Sequence, residues 1–151
     1  MKVPAPIVET VPIEQLKPWD RNPRTHHAVD AIARSMTSLG YLAPIVVQKG
    51  TYRILAGHGR LKAMKKLGVT EVPVIVADVD DARADLYTLA DNKLTELADW
   101  DFSVMADILL EFDAKNLDTT LTGFSDAELK AIAEWTPPNP AIQCPKCGHR
   151  W

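Results

Sequence analysis

The chain has 151 residues, 46% hydrophobic and 25% charged, enough for one domain with its own core and typical of a water-soluble globular protein. No apolar run approaches the roughly 20 residues that cross a bilayer. Met1-Lys2-Val3-Pro4-Ala5-Pro6 lacks the apolar stretch and cleavage site of a secretion signal, so no membrane partner and a cytoplasmic location are expected. The net charge of −3 hides an asymmetry. Residues 1–76 carry eleven Lys and Arg against five Asp and Glu, a net +6, whereas residues 77–151 carry six against fifteen, a net −9. A basic half can attract phosphate, DNA included, in a molecule acidic overall; two solvated faces that complement each other are the plainer alternative.

In chain order, residues 1–7 are Pro-rich and expected to be disordered. Val8 to Ile13 reads as a short strand, and Pro12 argues for an edge position. Residues 16–24 form a turn-rich loop containing Asn22-Pro23-Arg24. Val29, Ile32, Ala33, Met36 and Leu39 recur at helical spacing, which predicts a helix over 28–39 stopped by Gly40. Residues 44–48 and 52–56 read as two strands of a hairpin around Lys49-Gly50-Thr51. A helix over 60–67 follows, closed by Gly68, and then a buried strand over 72–77. Asp80 or Asp81 caps a long helix to about Leu97, and Asp101 caps another over 102–112. Ser125 and Glu128 form a capping box for a last helix. This order predicts a small mixed α/β (α+β) sheet domain with packed helices over 8–97. A helical extension over 98–135 and a proline-rich linker with a cysteine tail over 136–151 complete the chain.

Several segments carry candidate chemistry. In Ala56-Gly57-His58-Gly59-Arg60, glycines bracket the point where a buried strand turns into a helix. Glycine permits a sharp bend and leaves no side chain between an anion and the backbone amides, and the first amides of a helix are unpaired. Arg60 would add a forked contact to phosphate, and His58 a proton donor or transfer group; an ordinary tight turn is the alternative. Arg24 is either aimed at a ligand by Pro23 or a surface arginine after a turn. Asn92 and Lys93 lie within a predicted helix, where asparagine is a poor helix former. They are either metal and phosphate contacts or part of a solvated face.

Taken together, these motifs identify a resemblance. Leu16-Lys17-Pro18 leading to Asn22-Pro23-Arg24, Ser35 to Gly40 before Pro44-Ile45-Val46-Val47, Leu55 to Ala63, Val72-Pro73-Val74 and Asp91-Asn92-Lys93-Leu94 are similar, in order and spacing, to the N-terminal domain of the ParB partition proteins. That domain belongs to the wider ParB/sulfiredoxin superfamily, and the likeness is to its short phage and prophage members. The resemblance implies a pocket for a nucleoside triphosphate, CTP or ATP, with Mg²⁺. Arg24 would contact phosphate, Gly57, His58, Gly59 and Arg60 would cradle it, and Asn92 would help to place the metal, beside the phosphate contact already considered for Lys93. If the chain is an enzyme, a nucleotidase, nuclease or small-molecule kinase, His58 and Asn92 are its candidate catalytic residues, and Glu9, Asp20, Asp91 and Glu96 are unranked acids. His58-Gly59 stands where the partition proteins usually carry a further charged residue, and Thr95 where an arginine usually follows, so nucleotide identity is open. His58 also replaces the sulfiredoxin cysteine, so sulfiredoxin chemistry is not expected.

The acidic extension lacks the positive footprint of a DNA-reading helix, which leaves the basic N-terminal half as the candidate DNA contact. Cys144-Pro145-Lys146-Cys147-Gly148-His149 resembles one knuckle of a zinc ribbon. Cys144, Cys147 and His149 are the candidate ligands, and His26, His27, another subunit or a partner could complete the four a closed site needs; unused thiols and a redox pair are the alternatives. A homodimer and a DNA methyltransferase are the further partners considered. A structural adaptor without catalysis is the remaining functional class. Trp19, Trp100 and Trp135 read as packing or interface residues.

Overall fold

The computed structural model describes residues 5–25 and 28–134. The chain divides into two compact units, one up to Ala98 and one from Asp99.

The first unit is built on one four-stranded mixed sheet. Its strands are β1 (Ile7–Pro12), β2 (Ile45–Gln48), β3 (Ile54–Ala56) and β4 (Glu71–Ala77), in the order β1-β4-β2-β3. β1 is an edge strand as Pro12 suggested; it begins one residue before the expected start and pairs antiparallel with β4 from Ile7 opposite Val76 to Pro12 opposite Glu71. β2 and β3 form the expected antiparallel hairpin, with Val46 opposite Ala56. β2 and β4 run parallel, with Ile45 opposite Val74. Pro73 therefore sits just before the β2 ladder starts, so its missing N–H removes no rung there.

Three helices accompany the sheet: α1 (Val29–Leu39), α2 (His58–Lys66) and α3 (Asp81–Thr95). The helix α1 packs against α2, and α3 contacts β3. The expected cap of α3 resolves to Asp80, whose carboxylate accepts from the Arg83 amide at 2.8 Å. A 3-10 turn over Ile13–Gln15 has no signal in the sequence pattern. In β4, Val72, Val74 and Val76 are buried and alternate with more exposed residues, so one face of the sheet supplies the core. They join Val11, Ile13, Leu16, Ile45, Val47, Ile54, Leu61 and Met64 in one cluster.

The second unit contains α4 (Phe102–Ala114), a 3-10 turn over Thr119–Thr122 and α5 (Asp126–Ala133). Asp101 caps α4 through the Ser103 and Val104 amides. Ser125 and Glu128 form the expected capping box of α5. Its core is small: Met105, Leu109 and Ile132, flanked by Ala106, Phe112, Phe124 and Leu129.

Candidate functional site

The strand-to-helix bend is sharper than the glycine pattern suggested. β3 ends at Ala56 and α2 begins at His58, two residues before the expected Arg60, so Gly57 alone makes the reversal. Its φ of 103° and ψ of 25° are left-handed. A Cβ at this position would stand 3.1 Å from Ile45 Cγ1 and 3.4 Å from both Ile45 Cα and Arg60 Cζ. Conformation and space both demand glycine. Gly59, by contrast, is an ordinary buried residue of the first helical turn. No side chain caps α2. The Gly57 carbonyl accepts from the Leu61 amide, while the Gly59 and Arg60 amides have no hydrogen-bond partner among the described residues. They form the electropositive end of the helix dipole.

The two side chains expected to serve this bend make internal contacts. Arg60 Nη1 donates to the carbonyls of Ala43 at 2.5 Å and Pro44 at 2.6 Å, tying the segment before β2 to α2. His58 is buried, and its Nε2 accepts the Trp19 amide hydrogen at 3.1 Å. In that bond Nε2 serves as the acceptor through its lone pair. His58 thus anchors the 16–24 loop to the start of α2.

The same loop is fastened to α3. Asn22 Oδ1 accepts the Arg24 amide at 3.2 Å, shaping the Asn-Pro-Arg turn. Arg24 Nη2 donates to the Asn92 carbonyl at 3.2 Å and to Glu96 Oε1 at 2.9 Å. Residues 68 and 72 positions apart in sequence are thereby brought together. The Asn92 side-chain amide donates to the Thr88 carbonyl at 2.8 Å. Lys93 Nζ donates to Glu96 Oε2 at 3.2 Å. Burial raises the Tyr87 pKa, the neighbouring Asp91 carboxylate adds to the rise, and Arg60 opposes it.

Beside His58 lies a cavity of about 180 Å³ lined by Pro18, Trp19, Asn22, Arg24, His58, Leu61 and Lys62. Its charged lining is basic, and no carboxylate contributes. Drug-sized ligands occupy pockets of roughly 300–1,000 Å³, so this cavity is smaller than such a ligand fills. Lys62 escaped the sequence reading. The signal was available, because His58, Leu61 and Lys62 stand at i, i+3 and i+4 on one face of α2 once that helix starts at His58. Trp19 lines the cavity as well as packing. The guanidinium carbons of Arg21 and Arg53 each lie 5.9 Å from its ring centroid, and Asp85 pairs with Arg53 at 3.0 Å and Arg21 at 3.5 Å. This cluster binds the loop to α3 a second time and to Arg53, the residue just before β3.

Of the acids left unranked, Glu9 accepts the Tyr52 hydroxyl at 2.8 Å on the sheet, and Glu96 is held by Lys93 and Arg24. Thr95 bonds back to the Asp91 carbonyl at 2.9 Å. Among the described residues no group of three or more His, Cys, Asp or Glu side chains could hold a metal ion. The tail candidates Cys144, Cys147 and His149 lie outside the described residues, as do His26, His27 and Trp135. Trp100 packs edge-on against Phe124 in the second unit. No described helix is long and apolar enough to cross a membrane.

Comparison with known proteins bears on the fold and the family. A nucleoid occlusion protein of Lysinibacillus sphaericus is 38% identical over 88 residues, which cover 54% of this chain and 30% of that protein. A probable plasmid-partitioning protein ParB of Deinococcus radiodurans is 35% identical over 88 residues, covering 55% of this chain and 30% of that protein. The chain thus spans about 30% of the length of these curated relatives. Among solved structures, the C-terminally truncated chromosome-partitioning protein ParB of Caulobacter crescentus, complexed with CTP-γ-S, has the same fold. It aligns with a TM-score of 0.57 at 24% identity, over 83% of this chain and 69% of that one. The model of the ParB N-terminal domain matches residues 2–98, the span that holds the sheet, the glycine bend and the Arg24 loop, and the chain belongs to that family.

Proposed function

We propose that this chain binds a nucleoside triphosphate, CTP or ATP, with Mg²⁺, and acts as a ParB-type accessory in DNA maintenance. One observation carries the reading. Arg24, seated on α3 by the Asn92 carbonyl, lines the same cavity as His58 and Lys62 of α2, so two separated motifs, one of them tied to α3, meet in one basic recess at an uncapped helix start. Helix amides and forked guanidinium groups are the usual partners of phosphate. The solved relative bound to CTP-γ-S supports a cytidine nucleotide as the first candidate. Mg²⁺ is normally held by one or two protein groups together with phosphate oxygens. The Asn92 side-chain oxygen fits such a share, without a protein-only metal cage. No carboxylate lines the cavity, so the reading stops at binding. DNA contact is assigned to the basic N-terminal half.

The test is calorimetric titration with CTP, ATP, GTP and UTP, with and without Mg²⁺. Micromolar binding of at least one is expected, weakened tenfold or more by Arg24→Ala. Arg60→Ala is a poorer probe, because it also releases the Ala43 and Pro44 carbonyls. Failure of all four nucleotides to bind removes the proposal.

A further inference from the structure

The position of Glu96 is electrostatically odd. It caps the C-terminal end of α3, where the helix dipole disfavours a negative charge. Two cations offset this. Glu96 Oε1 accepts from Arg24 Nη2 at 2.9 Å, and Oε2 accepts from Lys93 Nζ at 3.2 Å. These are two of the cations assigned above to phosphate, and one of them lines the cavity. A carboxylate bridging a guanidinium and an ammonium makes the contacts a phosphate oxygen pair would make.

We infer that Glu96 is a built-in counter-anion, an autoinhibitory contact that fills the Arg24 and Lys93 cations until a phosphate-bearing ligand replaces it. The inference rests on the nucleotide-binding reading and adds a regulatory element to the same site. It has a structural consequence. The Arg24 side chain fastens the 22–24 turn to the last turn of α3 through Glu96 and the Asn92 carbonyl. A ligand that takes Arg24 therefore loosens that fastening, and phosphate binding is coupled to the freedom of the α3 C-terminus. The depressed Glu96 pKa, lowered by Lys93 first and Arg24 second, agrees with a carboxylate held charged at neutral pH.

The test compares the wild-type chain with Glu96→Gln, Arg24→Gln and the double variant. Each is titrated with CTP·Mg²⁺, ATP·Mg²⁺ and inorganic pyrophosphate, and amide hydrogen exchange over residues 92–97 is followed without ligand. Glu96→Gln is expected to tighten nucleotide and pyrophosphate binding about two- to fivefold, the range an exposed ion pair allows. It is also expected to speed exchange at Glu96 and Leu97. Arg24→Gln weakens binding, and adding Glu96→Gln to it restores little. Unchanged or weaker binding by Glu96→Gln, with the wild type binding normally, overturns the counter-anion role and leaves the nucleotide site standing. Unchanged exchange over 92–97 overturns the fastening. Loss of binding in all four proteins, the wild type included, removes the nucleotide reading and this inference with it.

Discussion

The two units of the chain reach stability by different means. In the first, a four-stranded sheet buries Ile45, Val47, Ile54, Val72 and Val74 almost completely, and long-range hydrogen bonds fix the loop and helix starts around it. In the second, two helices and a 3-10 turn share a core of only Met105, Leu109 and Ile132, while Phe102, Val104 and Leu110 remain exposed. Local caps at Asp101, Asp118 and Ser125 define its elements. A deep core holds side chains within tenths of an ångström, which a binding site needs. Capped helices over a thin core give defined segments with less tertiary constraint. The candidate site accordingly lies wholly in the first unit.

This contrast can be broken or sharpened by experiment. The largest effect is expected from Ile54→Ala. It empties a fully buried position in the second strand of the hairpin and should cost about 2–5 kcal/mol in chemical denaturation, with loss of any nucleotide response. Gly57→Ala comes next. The left-handed backbone and the 3.1 Å approach to Ile45 predict a loss of about 1–3 kcal/mol, together with weakened binding. A thermal melt equal to the wild type would show that the bend tolerates a side chain. Leu109→Ala probes the second unit. Because the site is confined to the first, calorimetry should return an unchanged nucleotide affinity even where circular dichroism shows helix loss. A collapse of binding would mean that the units are not functionally separate.

The smallest effect concerns the capping box. The Ser125 hydroxyl and amide lower the Glu128 pKa below its usual 4.5. A carboxylate depressed in the folded state adds stability at pH above that usual value, and the contribution disappears as pH falls through the lowered one. Protection of the Ser125 amide against exchange, taken relative to its intrinsic rate at each pH, should therefore fall on acidification below about pH 4.5, and should already be reduced in Glu128→Ala.

Much of the fold was legible because its signals are local. A continuous apolar run marked β4, a spacing of three and four marked α1, and Asp80 or Asp81, Asp101 and Ser125 announced helix starts that the structure repeats. The start of α2 was misplaced because one glycine, not two, makes the bend. The left-handed backbone at Gly57 and the close approach of Ile45 reveal which one. Site contacts were legible as residue types but not as partnerships. Nothing near Arg24 in sequence points to the Asn92 carbonyl or to Glu96, because that contact closes across some 70 residues. Likewise, an arginine suited to phosphate can equally satisfy two backbone carbonyls, as Arg60 does. Lys62 was hidden only by the late helix start.

The central claim is that the opening amides of α2 and the Arg24 guanidinium receive the phosphates of a nucleotide. Amide and arginine side-chain chemical shifts, followed by NMR as CTP·Mg²⁺ is added to the isotopically labelled chain, test it most directly. The account predicts the largest changes at the backbone amides of Gly59 and Arg60 and at the Arg24 guanidinium, saturating together with one affinity. Saturable changes that leave these three groups unmoved would contradict it.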